Sequence, residues 1–403
     1  MTLPANHPLE DGRTSASALV TTYRGTRGDR TPVWFMRQAG RSLPEYRELR
    51  VGTRMLDACL DPAMASEITL QPVRRHGVDA GIFFSDIVIP LKLAGVDVEI
   101  EPGRGPVLAK PVRTLADVSA LPDPAGADFS AIAEGVALTV AALGSTPLIG
   151  FAGAPFTLAA YLVEGGPSKD HIRARTLMHS DPEAWDGLLT WAADVTGAFL
   201  RSQVLAGTSA AQLFDSWVGS LSKADYVARV APYSARALAA IRDLDVPVVH
   251  FGVGSGEVLA EMRDVGQRGG SGASRVDGSG ASRVDGSGAP RVDGSVAPRV
   301  DAVGVDWRIP LDEAARRLGG SVTVQGNVDP ALLAAPWPVL EAHVLDVLRR
   351  GRSARAHVLN LGHGVPPETD PDVLTRIVEL VHAQGGADGS IGSDGGSDGT
   401  SGS

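Results

Sequence analysis

The chain is short of what several protein classes require. Of its 403 residues only Cys59 is a cysteine, which excludes an internal disulfide framework and any multi-cysteine zinc or iron–sulfur cage. Positive charge is not in excess: 37 Lys and Arg stand against 47 Asp and Glu, a net charge of −10. A dedicated nucleic-acid binder carries a basic footprint, so no nucleic-acid partner is expected. There is no apolar run of about eighteen residues, hence no expected transmembrane helix. Met1 to Gly12 carry Glu10 and Asp11 and lack both the basic start and the apolar core of a secretory signal. The expected location is the cytoplasm, where a free Cys59 is at home. No Walker lysine, no His-Glu-x-x-His and no His-x-Cys group occurs, so no metal site is expected, and no Gly-x-Ser-x-Gly elbow surrounds Ser216.

What the chain does have is two appendages and a patterned remainder. Residues 266–302 hold four near-copies of an eight-residue unit, beginning at Ser271, Ser279, Ser287 and Ser295, each with Arg-Val-Asp at a fixed offset. One valine per unit, two in the last, gives no face to stack, so a solenoid is excluded and a disordered octapeptide-repeat loop is expected. A long surface insertion adds little closure entropy to a well-packed domain. The tail, residues 385–403, is made of Gly, Ser and Asp with little else and reads as disordered. Residues 1–18 read as a flexible extension.

Between these lie eight short apolar runs: Pro32–Met36, Ala80–Phe84, Pro147–Phe151, Ala211–Phe214, Val246–Phe251, Ala302–Val305, Val322–Gln325 and His357–Leu361. They alternate poorly, as strands covered on both faces do. Helical patterns separate them, the longest over Pro182–Ala206. Eight strands alternating with helices predict a single α/β domain over residues 19–384, a (β/α)8 TIM barrel. Val96–Ile100 and Val107–Leu108, around Gly103 and Gly105, predict a small inserted β-hairpin.

In such a barrel the loops after the strands build the site. The first strand is followed by Arg37-Gln38-Ala39-Gly40-Arg41. Two guanidiniums four residues apart suit an anion with several carboxylates, and the small residues between them let backbone N–H groups approach a ligand. The competing reading is salt bridging to Glu45 or Glu48. Asp86 follows Gly81-Ile82-Phe83-Phe84, where a carboxylate is poorly solvated unless something donates to it. It is therefore a candidate acceptor of ligand N–H groups, or an N-cap. Tyr161, Ser216 and His363, the last between Gly362 and Gly364, complete the expected mouth. His250, inside the fifth strand, reads as structural. Gly252-Val253-Gly254 lacks the spacing of a dinucleotide fingerprint, so no nicotinamide cofactor is expected.

The block Pro32-Val33-Trp34-Phe35-Met36-Arg37-Gln38-Ala39-Gly40-Arg41, with Leu43-Pro44-Glu45-Tyr46 after it, resembles the uroporphyrinogen decarboxylase family. So do Phe84-Ser85-Asp86-Ile87, Gly150–Thr157 with Tyr161, Phe214–Gly219, and Asn360-Leu361-Gly362-His363-Gly364, in that order. The resemblance spans about Leu19 to Ala383 and leaves the repeat and the tail unexplained. It implies a barrel acting as a homodimer in heme biosynthesis, with no metal or organic cofactor. The implied reaction removes the four acetate carboxyls of uroporphyrinogen III as CO2, giving coproporphyrinogen III. Carried over by position, Arg37 and Arg41 would bind substrate carboxylates, with Gln38, Ala39 and Gly40 shaping their loop. Asp86 would accept the pyrrole N–H groups, and Tyr161, Ser216 and His363 would make further contacts. The proton donor stays open among Arg37, Tyr161, His363 and water. Two other readings remain: a barrel-related methyltransferase, which would need zinc through His and Cys, and a non-catalytic tetrapyrrole binder.

Overall fold

The computed structural model describes residues 2–265 and 300–387 of the chain, with side chains to residue 384. Nine strands occur among them: β1 (Gly81–Ile82), β2 (Val98–Glu101), β3 (Gly105–Leu108), β4 (Leu148–Gly153), β5 (Ala210–Asp215), β6 (Val248–Gly252), β7 (Ala302–Gly304), β8 (Thr323–Gln325) and β9 (His357–Val358). Seven of them form one parallel sheet in the order β1-β4-β5-β6-β7-β8-β9. Every residue of β4 is buried, as is nearly all of β5 and β6, which fits strands rich in Val, Ile, Leu, Phe and Ala and covered on both faces.

Pro32–Met36 takes the eighth place. It touches both edges of the sheet: Leu359 N–H donates to Pro32 O (2.9 Å) on the β9 side and Asp79 N–H donates to Val33 O (2.8 Å) on the β1 side. Only one ladder bridge, Val33 with Leu359, forms. The reason is that side chains take most of its amides, Trp34 N–H alone donating to the neighbouring strand, at Leu359 O (3.3 Å). Val33 N–H donates to Asp79 Oδ2 (2.8 Å), Phe35 N–H to Gln38 Oε1 (2.9 Å) and Met36 N–H to Asn360 Oδ1 (2.9 Å), while Pro32 has no N–H to give. The sheet thus curls into a TIM-like barrel whose seam is the segment that leads into Arg37.

Helices pack outside this ring. Pro182–Ala206 starts at Asp181, whose side chain accepts from Ala184 N, and ends at Gly207 with φ 126. It buries Trp185, Leu188, Leu189, Phe199 and Leu200 against the sheet and neighbouring helices. Among the described residues no single helix is long and apolar enough to cross a membrane. The expected hairpin is present: β2 and β3 pair antiparallel, turning through Gly103 and Gly105 at φ 77 and 96.

Three boundaries differ from the sequence reading. Residues 2–17, expected as a flexible extension, pack onto the barrel: Leu3, His7 and Thr14 are buried, and His7 Nε2 lies 3.0 Å from Val204 O. The last three residues of the expected repeat loop belong to the barrel, because Val300 is buried, Asp301 accepts from Val248 N (2.8 Å) and Ala302 opens β7. The final helix runs Pro371–Ala387, so it continues past the expected start of the tail. The rest of the repeat, 266–299, and the tail from 388 lie outside the described residues.

Candidate active site

The loops that follow the strand C-termini bring Arg37, Asp86, Tyr161 and His363 into one electrostatic cluster. Arg37 sits at the end of the eighth-place segment with φ 60, a left-handed backbone unusual for a side chain of this size. Its aliphatic stem crosses Gly364, where a Cβ would overlap it, so Gly364 is required for the arginine to reach the mouth. Among the described residues neither Arg37 nor Arg41 forms a hydrogen bond or an ion pair, and both are exposed. The expected competitor is used elsewhere: Glu45 pairs with Arg75 at 2.7 Å.

Asp86 follows β1 and turns the chain into the next helix. Its Oδ1 accepts from Val88 N–H (3.0 Å) and its backbone oxygen from Ile89 N–H (3.1 Å). Among the described residues Oδ2 carries no hydrogen bond. Burial holds the carboxyl above its ordinary range, opposed by the Val88 amide and the Arg37 charge. Tyr161 lies in the helix Pro155–Glu164 and is 7% exposed. Burial and the Asp86 charge push its phenol up, with Arg37 opposing, so the hydroxyl keeps its proton. Its ring meets Trp217 edge to face with centroids 5.9 Å apart.

His363 is half-buried. Burial, Arg37 and Arg308 push its imidazole below the usual value and Asp306 opposes them. It is neutral at neutral pH and can accept as well as donate. Ser216, half-buried beside Trp217, makes no hydrogen bond among the described residues. Arg41 shares the Arg37 loop but has no contact with the Asp86 cluster.

Gln38 is not open to a ligand. It is fully buried, receives Phe35 N–H and donates to Ala80 O (3.0 Å), so it fastens the arginine loop to the barrel seam. Ala39 packs against the core, and a Cβ on Gly40 would sit 3.2 Å from Arg37 O. Below the mouth, buried Asp215 accepts from Thr157 Oγ1 (3.2 Å) and lies 3.8 Å from His250 Nε2. His250 is thus interior, as expected. Cys59 is buried, and its thiol is pushed up by burial and by the Asp86 charge. Among the described residues no three His, Cys, Asp or Glu side chains converge into a metal-binding group.

The mouth expected from the sequence did not include Trp307 and Arg308, in the loop after β7. Asp306 is 1% exposed and accepts from Gly254 N–H (2.7 Å), Arg308 N–H (3.2 Å) and Arg308 Nη1 (2.5 Å). The Arg308 guanidinium lies 3.9 Å from the centre of the Trp307 ring. Trp307 stands perpendicular to His363 with centroids 6.2 Å apart. Gly362 permits that approach, since a Cβ there would come within 2.8 Å of Trp307 Cβ. The available signal was position: these residues lie in the loop after a barrel strand.

This geometry agrees with the relationships of the chain. The uroporphyrinogen decarboxylase family profile matches residues 14–384. Uroporphyrinogen decarboxylase of Leifsonia xyli is 63% identical over 401 residues, covering 94% of this chain and 98% of the relative. That of an Arthrobacter species is 62% identical, covering 93% and 99%, and that of Salinispora tropica is 52% identical, covering 92% and 91%. Among solved structures a methyltransferase from Methanosarcina mazei superposes with a TM-score of 0.71 over 92% of this chain and 98% of its own, at 17% identity, a likeness of fold. The chain belongs to the uroporphyrinogen decarboxylase family.

Proposed function

We propose that the barrel mouth binds uroporphyrinogen and removes its acetate carboxyl groups as CO2, giving coproporphyrinogen. The observation that carries this reading is Asp86: a carboxylate with one unpartnered oxygen, facing the Arg37 charge in a mouth whose loop arginines, Arg37 and Arg41, are unpaired among the described residues.

The chemistry follows from what the substrate supplies. A pyrrole acetate loses CO2 only if the electron pair of the breaking C–C bond has somewhere to go. Protonating a pyrrole carbon turns the ring into that acceptor. The bond to the carboxyl then breaks, the pair enters the ring system and CO2 leaves. The exocyclic methylene takes a proton to become methyl, and the ring gives its extra proton back. One proton is consumed net for each carboxyl.

Asp86 serves both stages. Its free oxygen accepts pyrrole N–H bonds in the ground state, and its charge stabilises the protonated ring more strongly than the neutral one. Burial strengthens that preference, because it disfavours the carboxylate until a cation faces it. Arg37 and Arg41 hold peripheral carboxylates, which lets an acidic protein receive an acidic substrate through a local field. Tyr161, Ser216 and His363 make further contacts to the substrate. Gln38, Ala39 and Gly40 set the loop that aims the arginines. A cytoplasmic homodimer is part of the same proposal, and sedimentation of the purified protein tests its oligomeric half.

A single-turnover assay with anaerobically reduced uroporphyrinogen tests the function. Products with seven down to four carboxyl groups, together with CO2, are expected. Binding of the macrocycle without CO2 release would sink the catalytic reading.

A further inference from the structure

The mouth holds a third arginine of a different build. Arg37 and Arg41 are exposed and unpaired, whereas Arg308 is fixed on two sides. Its face lies on Trp307 at 3.9 Å and one edge is directed at Asp306 at 2.5 Å. Asp306 cannot follow it into solvent, being 1% exposed and tied to two backbone N–H groups. The Arg308 side chain itself is 51% exposed. A guanidinium has five N–H donors in one plane. Among the described residues Nε and Nη2 of Arg308 have no partner, so one edge is held and the other is open. The loop lies against Gly362 and His363, and the Arg308 charge reaches the His363 ring.

We infer that Arg308 is a substrate-binding residue of this mouth, taking one peripheral carboxylate of the macrocycle on its open edge beside His363. This rests on the reading that the mouth receives a polycarboxylate tetrapyrrole. A guanidinium held by a ring and a buried carboxylate has already lost most of its rotamer freedom, so little ordering remains to oppose binding. Because its charge acts on His363 and, unlike that of Arg37, not on Asp86, it contributes to holding the substrate rather than to breaking the C–C bond. A surface ion pair of no consequence is the competing account.

The experiment compares wild type, Arg308→Gln and Arg308→Lys with reduced uroporphyrinogen, and titrates the same proteins with uroporphyrin, the oxidised octacarboxylate, by fluorescence. Arg74→Gln, which breaks a helix-surface pair with Glu67, is the control. Arg308→Gln raises KM and weakens uroporphyrin binding by roughly tenfold to hundredfold, the cost of losing a charge-assisted hydrogen-bond donor, with kcat within about twofold. Arg308→Lys restores part of the loss, and the added salt dependence of KM shrinks in Arg308→Gln. A KM and a uroporphyrin affinity within about twofold of wild type in Arg308→Gln would overturn the inference, as would a fall in kcat alone. If wild type binds uroporphyrin without turning over uroporphyrinogen, the decarboxylase reading fails. The weaker binding of Arg308→Gln then still decides for Arg308.

Discussion

The two ends of the barrel use the same residue type in opposite ways. At the N-terminal end every arginine near the seam is engaged. Arg24 pairs with Asp245 at 3.1 Å, Arg27 donates to Ala354 O at 2.6 Å, Arg30 pairs with Asp79, and Arg355 donates to Gly25 O at 3.0 Å. At the C-terminal end Arg37 and Arg41 are unpaired among the described residues, and Arg308 is only half engaged. An unpaired guanidinium is no asset to a free enzyme, since it adds repulsion and no bond. Around the seam, among the described residues, it occurs on the C-terminal side alone, which separates arginines that close the ring from arginines that await an anion. Six residues of chain, Thr31 to Met36, separate Arg30 of the first set from Arg37 of the second.

The comparison breaks most sharply at Asp86. Asp86→Asn keeps the size and the Val88 contact but removes the charge that faces the protonated ring. We expect kcat to fall about 10²–10³-fold with the thermal midpoint unchanged or raised, because a buried charge is removed. Near-normal turnover in the same single-turnover assay refutes the role. Arg37 comes next. Arg37→Gln lowers kcat/KM by about a hundredfold, through lost carboxylate binding and through the field it exerts on Asp86, Tyr161 and His363. Arg37→Lys recovers little, since an ammonium cannot bind a carboxylate bidentately. If Lys restores full activity, the site needs only a point charge at this position.

Much of the fold and the composition of the candidate mouth were legible in the sequence, for reasons that differ by element. The parallel strands announced themselves because apolar runs such as Leu148–Gly153 are buried on both faces. The arginine loop was legible because it is contiguous, and Asp86 because a carboxylate behind Phe83 and Phe84 is conspicuous. What escaped was long-range. Nothing local to Pro32–Met36 shows that Asp79, Gln38 and Asn360 side chains replace its ladder. His7 looks like any polar residue near a terminus until Val204 O meets it 197 positions away. Gln38 reads as one of the residues that shape the arginine loop, yet both ends of its side-chain amide are spent on the backbone. Arg308 escaped because its meaning lies in the Trp307 ring, the Asp306 edge and the Gly362 gap, which meet only in the folded chain.

At the closing end the expected effects are on stability. Asp79 is a hub: its carboxylate accepts from Val33 N–H and lies 2.9 Å from His382 Nε2, and it pairs with Arg30 while its own side chain is 6% exposed. Arg30→Ala removes one partner of that nearly buried charge. A cost of roughly 1–3 kcal/mol, or a few degrees in the thermal midpoint, is expected, with kcat and KM for uroporphyrinogen unchanged. A kinetic defect with an unchanged midpoint would erase the division between the two ends.

The smallest effect is a pH slope, and its sign is fixed by the same end of the barrel. His357 is buried in β9, with Nε2 2.7 Å from Gly326 O, while Gly351 packs against the other ring nitrogen. Burial, with the nearby Arg27 charge, lowers its pKa from 6.5 to about 4, opposed by the Gly326 contact. The folded chain therefore refuses a proton that the unfolded chain accepts. This group's contribution to stability is intact above about pH 6.5 and is lost as pH falls towards 4. His76, also lowered to about 4, adds to that slope, and Asp301, raised to about 6, opposes it. His357→Gln keeps a donor for Gly326 O and removes the titration. The midpoint of the variant, measured between pH 7 and pH 5, should fall less steeply than that of wild type, whatever its absolute value. Parallel slopes would mean that the proton-refusing groups lie elsewhere. A shallower slope with unchanged KM across the same range would keep His357 with the arginines that close the ring, apart from the neutral His363 at the mouth.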